Sequence, residues 1–176
     1  YAFYCCSLLN EITVPNSVVS ICNWSFFNCS SLKKIEIPSS VKTIGESAFS
    51  KCTQLIELTI PSSVTKIGEF AFSGCISLCK ISIPSSIKSL EKGVFSGCVG
   101  LNEAPIHSEI NKIESLAFRG CSSLKSVIIP SSVTEIGEMS FYKCSSLAEI
   151  TIPSKFQRNL HNKWLGIDEK IEINYI

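Results

Sequence analysis

Ten cysteines, two histidines and a series of Ser-Ser pairs are the side chains of this 176-residue chain that could bind metal, form disulfides or act as nucleophiles. Their spacing argues against all three. Cys6, Cys29, Cys52, Cys75, Cys98, Cys121 and Cys144 stand 23 residues apart without a break. Side chains repeated at a fixed period of this length lie in file, one per coil of a stacked array. Neighbours in such a file are about 4.8 Å apart with parallel Cβ vectors, whereas a disulfide needs Cβ atoms that converge to about 3.8 Å. Zinc needs four ligands meeting at one point, not a line of single ones. The expectation is a ladder of buried thiols that pack as small hydrophobes, with no metal and no cofactor. Cys5, Cys22 and Cys79 fall outside the register and are expected to be unpaired. In an oxidising compartment these three are the candidates for pairing, Cys22 with Cys29 or with a neighbouring coil.

Catalysis finds no foothold. His107 and His161 lie more than two repeats apart, and Asp168 is the single aspartate. In a simple stack they cannot share a nucleophile. The serines of Ser39-Ser40 and its equivalents recur after proline as turn residues, and an active site does not repeat seven times. The chain is not expected to be an enzyme. Two Asn-x-Ser tripeptides, at Asn23 and Asn28, are frequent by chance in so serine-rich a sequence.

The elements that carry these residues follow from the same period. Phe3, Phe26, Phe49, Phe72, Phe95, Phe118 and Phe141 keep the 23-residue step. So do Pro15, Pro38, Pro61, Pro84, Pro130 and Pro153, broken only by His107. The template is L-x-x-I-x-I-P-S-S-V-x-x-I-G-x-x-A-F-x-x-C-x-S. Its I-x-I-P segment alternates and is β-branched, which predicts a short strand ended by a residue without an N–H. Val-x-x-Ile before Gly45, Gly68 or Gly137 predicts a second extended segment turned by the glycine, and A-F-x-x-C predicts a helical or 3₁₀ return turn. Stacking gives an α/β-type solenoid, mostly β, with a parallel sheet along one face.

The tail keeps the count, because 23 residues beyond Phe141, Ile150 and Ile152 lie Trp164, Ile173 and Tyr175. Residues 1–153 therefore read as seven phases of a solenoid, the first one partial. Residues 154–176 read as a degenerate eighth repeat that caps it, with a strand at Ile171–Tyr175 and Ile171, Ile173 and Tyr175 facing in. The return path from Phe156 to Leu165 is expected to be helical. Trp164 and the charges at Lys163, Asp168, Glu169 and Lys170 suit a solenoid end. Opening on Tyr1 in mid-repeat, the sequence reads as a fragment or processed product. Its uncapped first coil implies missing coils or end-to-end self-association.

Two exposed columns flank each inward strand residue. One reads Glu11, Lys34, Glu57, Lys80, Glu103, Ser126 and Glu149. Its charges alternate at cross-strand distance, which predicts a mildly stabilising ladder that fixes coil register. The other reads Thr13, Glu36, Thr59, Ser82, Pro105, Ile128 and Thr151, small and mostly uncharged, so that a partner can approach closely. In the fifth coil Ala104, Pro105 and His107 replace I-x-I-P and Glu109 replaces serine. Pro105 removes a ladder donor, which predicts a bulge or lost hydrogen bond and a notch rimmed by His107 and Glu109. The candidate partner-binding residues are thus Glu11, Lys34, Glu36, Glu57, Thr59, Lys80, Ser82, Glu103, Pro105, His107, Glu109, Ser126, Ile128 and Glu149.

A net charge of +1 with scattered Lys and Arg excludes the basic footprint of a nucleic-acid binder. No apolar run approaches the length of a membrane span. The template over Phe3 to Pro153 resembles the leucine-rich repeat of the BspA-like class, the 23-residue type found in many bacterial and protist surface proteins. The resemblance implies a right-handed, curved stack with the I-x-I strands on the concave face. It also implies a surface or secreted adhesion protein that binds a protein or glycoprotein. A cytoplasmic scaffold on the same fold is the alternative, and the free thiols suit it.

Overall fold

In a computed structural model, residues 1–157 and 165–176 are described. Most coils contribute one strand to each of two faces; among the described residues the fifth coil has none on the first face and the eighth none on the second. The first face carries β1 (Glu11–Thr13), β3 (Lys34–Glu36), β5 (Glu57–Thr59), β7 (Lys80–Ser82), β10 (Ser126–Ile128), β12 (Glu149–Ile152) and β13 (Glu172–Tyr175). The second carries β2 (Ser20–Ile21), β4 (Thr43–Ile44), β6 (Lys66–Ile67), β8 (Ser89–Leu90), β9 (Lys112–Ile113) and β11 (Glu135–Ile136). All pairings are parallel, and every one through β12 keeps the 23-residue register, Ile12 opposite Ile35 and Ile44 opposite Ile67. Both predicted extended segments form.

The third side of the coil corrects the α/β expectation. The A-F-x-x-C stretch is neither α nor 3₁₀ helix; the fold is a mostly β parallel solenoid, with a short 3₁₀ turn at Ser154–Phe156. Alternate N–H groups choose different partners there. Ser47, Phe49 and Lys51 donate to Glu69, Ala71 and Ser73 of the next coil at 2.9, 2.8 and 2.7 Å. Ala48, Ser50 and Cys52 donate three residues back within their own coil. The backbone meets both demands by adopting left-handed φ at two positions per coil. One column is Trp24, Ser47, Phe70, Gly93, Leu116 and Met139; the other is Cys5, Asn28, Lys51, Gly74, Gly97, Gly120, Lys143 and Gly166. Nine of these fourteen are not glycine, and each such residue carries a steric cost of about 1–2 kcal/mol. The interchain-like ladder and the packing beneath it hold them there.

Gly45 and Gly68, expected as turn residues, have no left-handed φ. They are required by close approach, since a Cβ on Gly68 would lie 2.5 Å from the Glu46 nitrogen.

Inside the coil, Phe49, Phe72, Phe95 and Phe118 are fully buried and form one stack with Phe3, Phe26 and Phe141. Six of the seven register thiols are buried beside it; Cys6 is exposed because the first coil is covered on one side only. The serine after Pro-Ser also works between coils. Ser40, Ser63, Ser86 and Ser132 each donate to a carbonyl of the preceding coil, Val18, Val41, Val64 and Ile110, at 2.6–2.7 Å.

At the C-terminal end β13 pairs with β12 in the anticipated register, Ile150 opposite Ile173 and Ile152 opposite Tyr175. Tyr175 does not turn inward as expected but is 38 % exposed, since it lies on the last strand. The expected helical return and the positions of Lys163 and Trp164 fall largely outside the described residues. At the other end Phe3, Ile12, Val14 and Val18 remain half-buried around an apolar hollow of about 400 Å³.

Candidate functional site

Twelve of the fourteen candidate residues fall in two parallel rows on the first face, Glu103 and Pro105 on its strandless fifth coil; His107 stands in the prolyl column and Glu109 on the turn that follows. Alternation along each strand forces this: Ile35, Leu58 and Ile81 are buried, while the residues on either side point to solvent. Shallow hollows run between the exposed side chains, one of about 440 Å³ lined by residues including Glu36, Glu57, Thr59, Lys80 and Ser82.

The charge ladder differs from the expectation. Glu11 stands opposite Lys34 and Glu57 opposite Lys80, as the register requires. Yet Lys34 closes its ion pair within its own strand, with Glu36 at 3.0 Å. That contact, more than the flanking Glu57 and Glu11, raises the Lys34 pKa. One intercoil ion pair lies instead on the second face, where Lys112 meets Glu135 at 3.2 Å as well as Glu114 of its own coil at 2.7 Å and is likewise raised.

The fifth coil interrupts the first sheet, as Pro105 predicts. Residues 103–107 form no strand, and β7 and β10 are not joined through them; on this face the strands pair as β1–β3, β5–β7 and β10–β12–β13, so the ladder is also open between β3 and β5. Instead the Ile106 N–H turns back to the Ala104 carbonyl at 2.8 Å. His107 Nδ1 accepts the Glu109 N–H at 3.2 Å, and Nε2 is buried with no hydrogen-bond partner among the described residues. Glu109 cannot replace the intercoil serine. It pairs with Lys88 at 2.6 Å, and that contact lowers its pKa.

The thiols are chemically quiet. Cys52, Cys75, Cys98, Cys121 and Cys144 each donate to the carbonyl of the Phe 26 residues earlier, at 3.1–3.2 Å. Burial pushes Cys29 up to about 11 and Cys75 and Cys144 up to about 12, and it raises Cys52, Cys98 and Cys121 as well. A thiol so raised is a poor nucleophile at neutral pH. All ten cysteines are free, Cys5 and Cys22 on the surface and Cys79 half-buried. Asn23 and Asn28 have structural partners, the Glu46 N–H and the Cys5 sulfur. Among the described residues no group of three or more His, Cys, Asp or Glu could hold a metal, and no helix is long and apolar enough to cross a membrane.

The model of the BspA type leucine rich repeat region matches in six copies, over residues 1–125 and 48–163. The chain belongs to this family. Its fold is shared with a leucine-rich repeat protein of Treponema pallidum ("T. pallidum"), at 28% identity and a TM-score of 0.76, over 91% of this chain and 78% of that one. A leucine-rich repeat protein of Bacteroides ovatus is 29% identical with a TM-score of 0.67, over 99% of this chain. The chain spans 54% of that protein's length. A leucine rich cell surface protein of Faecalibacterium prausnitzii is 26% identical with a TM-score of 0.52, over 85% of this chain and 61% of that one. Curated proteins include no match to the chain. No catalytic family is among these findings.

Two contributors to the face escaped the sequence reading. Glu172 and Asn174 continue the rows on β13. Adding the period to Glu149 and Thr151 finds both.

Proposed function

We propose that the chain is a protein-interaction module of a surface or secreted adhesion protein, and that the first sheet, on the concave side, receives a protein or glycoprotein partner. One observation carries the binding half. The sheet presents two regular rows of solvent-facing side chains across seven strands, unobstructed by any other described element. Concavity of this face is supported by membership of the leucine-rich repeat family. Surface placement is supported by family membership and by the similar Faecalibacterium prausnitzii protein, described as a cell surface protein.

The ten free thiols favour a second reading, an intracellular scaffold that uses the same face. A membrane-impermeant maleimide applied to intact source cells separates the two. Labelling at exposed Cys5, Cys6 or Cys22 without lysis supports the surface reading; labelling only after lysis transfers the module to the cell interior. The binding half is tested by reciprocal capture with wild type and with Thr59→Trp/Ser82→Trp, two exposed positions at the middle of the face. The partner is retained by the first and lost by the second; equal retention contradicts the assignment.

A further inference from the structure

The two halves of the first sheet differ in charge. Before the break at the fifth coil, β1, β3, β5 and β7 present Glu11, Glu36 and Glu57 with Lys34 and Lys80. After it, the same two rows hold Glu103, Ser126, Glu149 and Glu172, then Pro105, Ile128, Thr151 and Asn174. Those rows hold three carboxylates and no cation.

Glu149 and Glu172 are direct register neighbours. Like charges so placed repel. Among the described residues neither forms an ion pair; Glu149 instead accepts a hydrogen bond from Asn174 Nδ2 at 2.8 Å. Beside this acidic row, Ile128 points out of a central strand and is 67 % exposed, although its strand neighbours Val127 and Ile129 are buried. Serine, threonine or glutamate fills that column in β1, β3, β5, β7 and β12. An uncompensated acidic row bordering a bare apolar side chain is complementary to one kind of surface, cationic with an apolar contact.

We propose that β10, β12 and β13 form a docking surface for a basic protein segment whose Lys or Arg side chains meet Glu149 and Glu172 and whose apolar side chain covers Ile128. This rests on the first sheet being the partner-binding face and assigns the chemistry of what binds there. The half before the break, where Lys34 and Lys80 offset all but one of three carboxylates, adds contact area with little selection for charge.

The probe is a fluorescein-labelled dodecapeptide of alternating Lys and Leu, with Lys/Ser and Glu/Leu peptides as comparators, titrated by anisotropy against the full chain. The Lys/Leu peptide binds most tightly and loses affinity as salt rises. Glu149→Gln/Glu172→Gln weakens it about tenfold, and Ile128→Ser weakens it about tenfold more, because the leucine contact is lost. Glu46→Gln/Glu69→Gln, an exposed acidic pair beside the second face, leaves it unchanged. Removing the repulsion also raises the denaturation midpoint of the Glu149/Glu172 variant, so its weaker binding cannot be unfolding. The proposal is overturned if the Lys/Leu peptide does not bind or the Lys/Ser peptide binds equally. It is also overturned if the two Gln pairs act alike or the midpoint of the Glu149/Glu172 variant falls. Such results, with partner capture still lost in Thr59→Trp/Ser82→Trp, would remove the basic segment and leave the partner-binding face intact.

Discussion

Phe72→Ala probes the interior at the middle of the array. The Phe72 ring is fully buried and stacked between Phe49 and Phe95, both at 5.7 Å and inclined by 6° and 8°. Truncation removes a buried aromatic and leaves a cavity that fixed coils on either side cannot close, a loss of about 3–5 kcal/mol. In a nearest-neighbour array the lesion weakens both interfaces it touches. Phe3 is the internal comparison, half-buried with a single ring neighbour, Phe26 at 5.2 Å. Phe3→Ala should therefore cost less than half as much, about 1–2 kcal/mol. Guanidinium denaturation followed by far-UV circular dichroism measures both. A Phe72→Ala loss below about 1 kcal/mol, or a loss equal to that of Phe3→Ala, would refute a stacked phenyl interior as the main tie between coils.

Burial raises Cys75 from an ordinary 9.0 up to about 12. The folded chain therefore holds thiol protons that the unfolded chain releases, so stability is complete below pH 9 and declines between about pH 9 and 12. Denaturation midpoints across that range read it directly, and a flat profile would mean the thiols are solvated. Gly97→Ala makes only ordinary van der Waals contact, with the Gly74 Cα and N at 3.6 Å, but imposes φ of 74° on a side chain. A loss of about 1–2 kcal/mol without loss of fold is expected, read by the same denaturation. Lys80→Glu sets a new carboxylate beside Glu57; it should cost about 0.2–1 kcal/mol at low salt, less at high salt, and salt-independence would remove the cross-strand term. His107→Pro restores the prolyl column, keeps the turn in which the Ile110 N–H reaches the residue 107 carbonyl, and deletes the unpartnered Nε2. Stability should hold within about 1 kcal/mol while partner capture weakens; unchanged capture would make the fifth coil irrelevant to binding.

The strands were legible because burial alternates with a period of two, and a slip by one residue would expose Ile35 or Leu58. Pro105 marked the break in the sheet because it cannot donate to a ladder. The return path was not legible. Left-handed φ there falls on Trp24, Phe70 and Leu116, residues with no local preference for it, because intercoil hydrogen bonds and the phenyl stack dictate the conformation. The intercoil role of Ser40 and its equivalents was hidden for the opposite reason, since serine after proline is already explained by the turn. On the face, the columns came directly from the period. The ion pairs did not: Lys34 can reach Glu36 along its strand as readily as Glu11 or Glu57 across it, and rotamer geometry decides.

Site-specific photo-crosslinking tests the partner-binding face most directly. A benzophenone amino acid is placed at Thr59 on the first sheet and, separately, at Thr65 just before the second, both exposed. Both variants are then expressed in the source cells and irradiated. A discrete crosslinked protein at Thr59, and none at Thr65, is the expected result. Crosslinking at Thr65 with none at Thr59 would place the partner on another side of the coil and contradict the account.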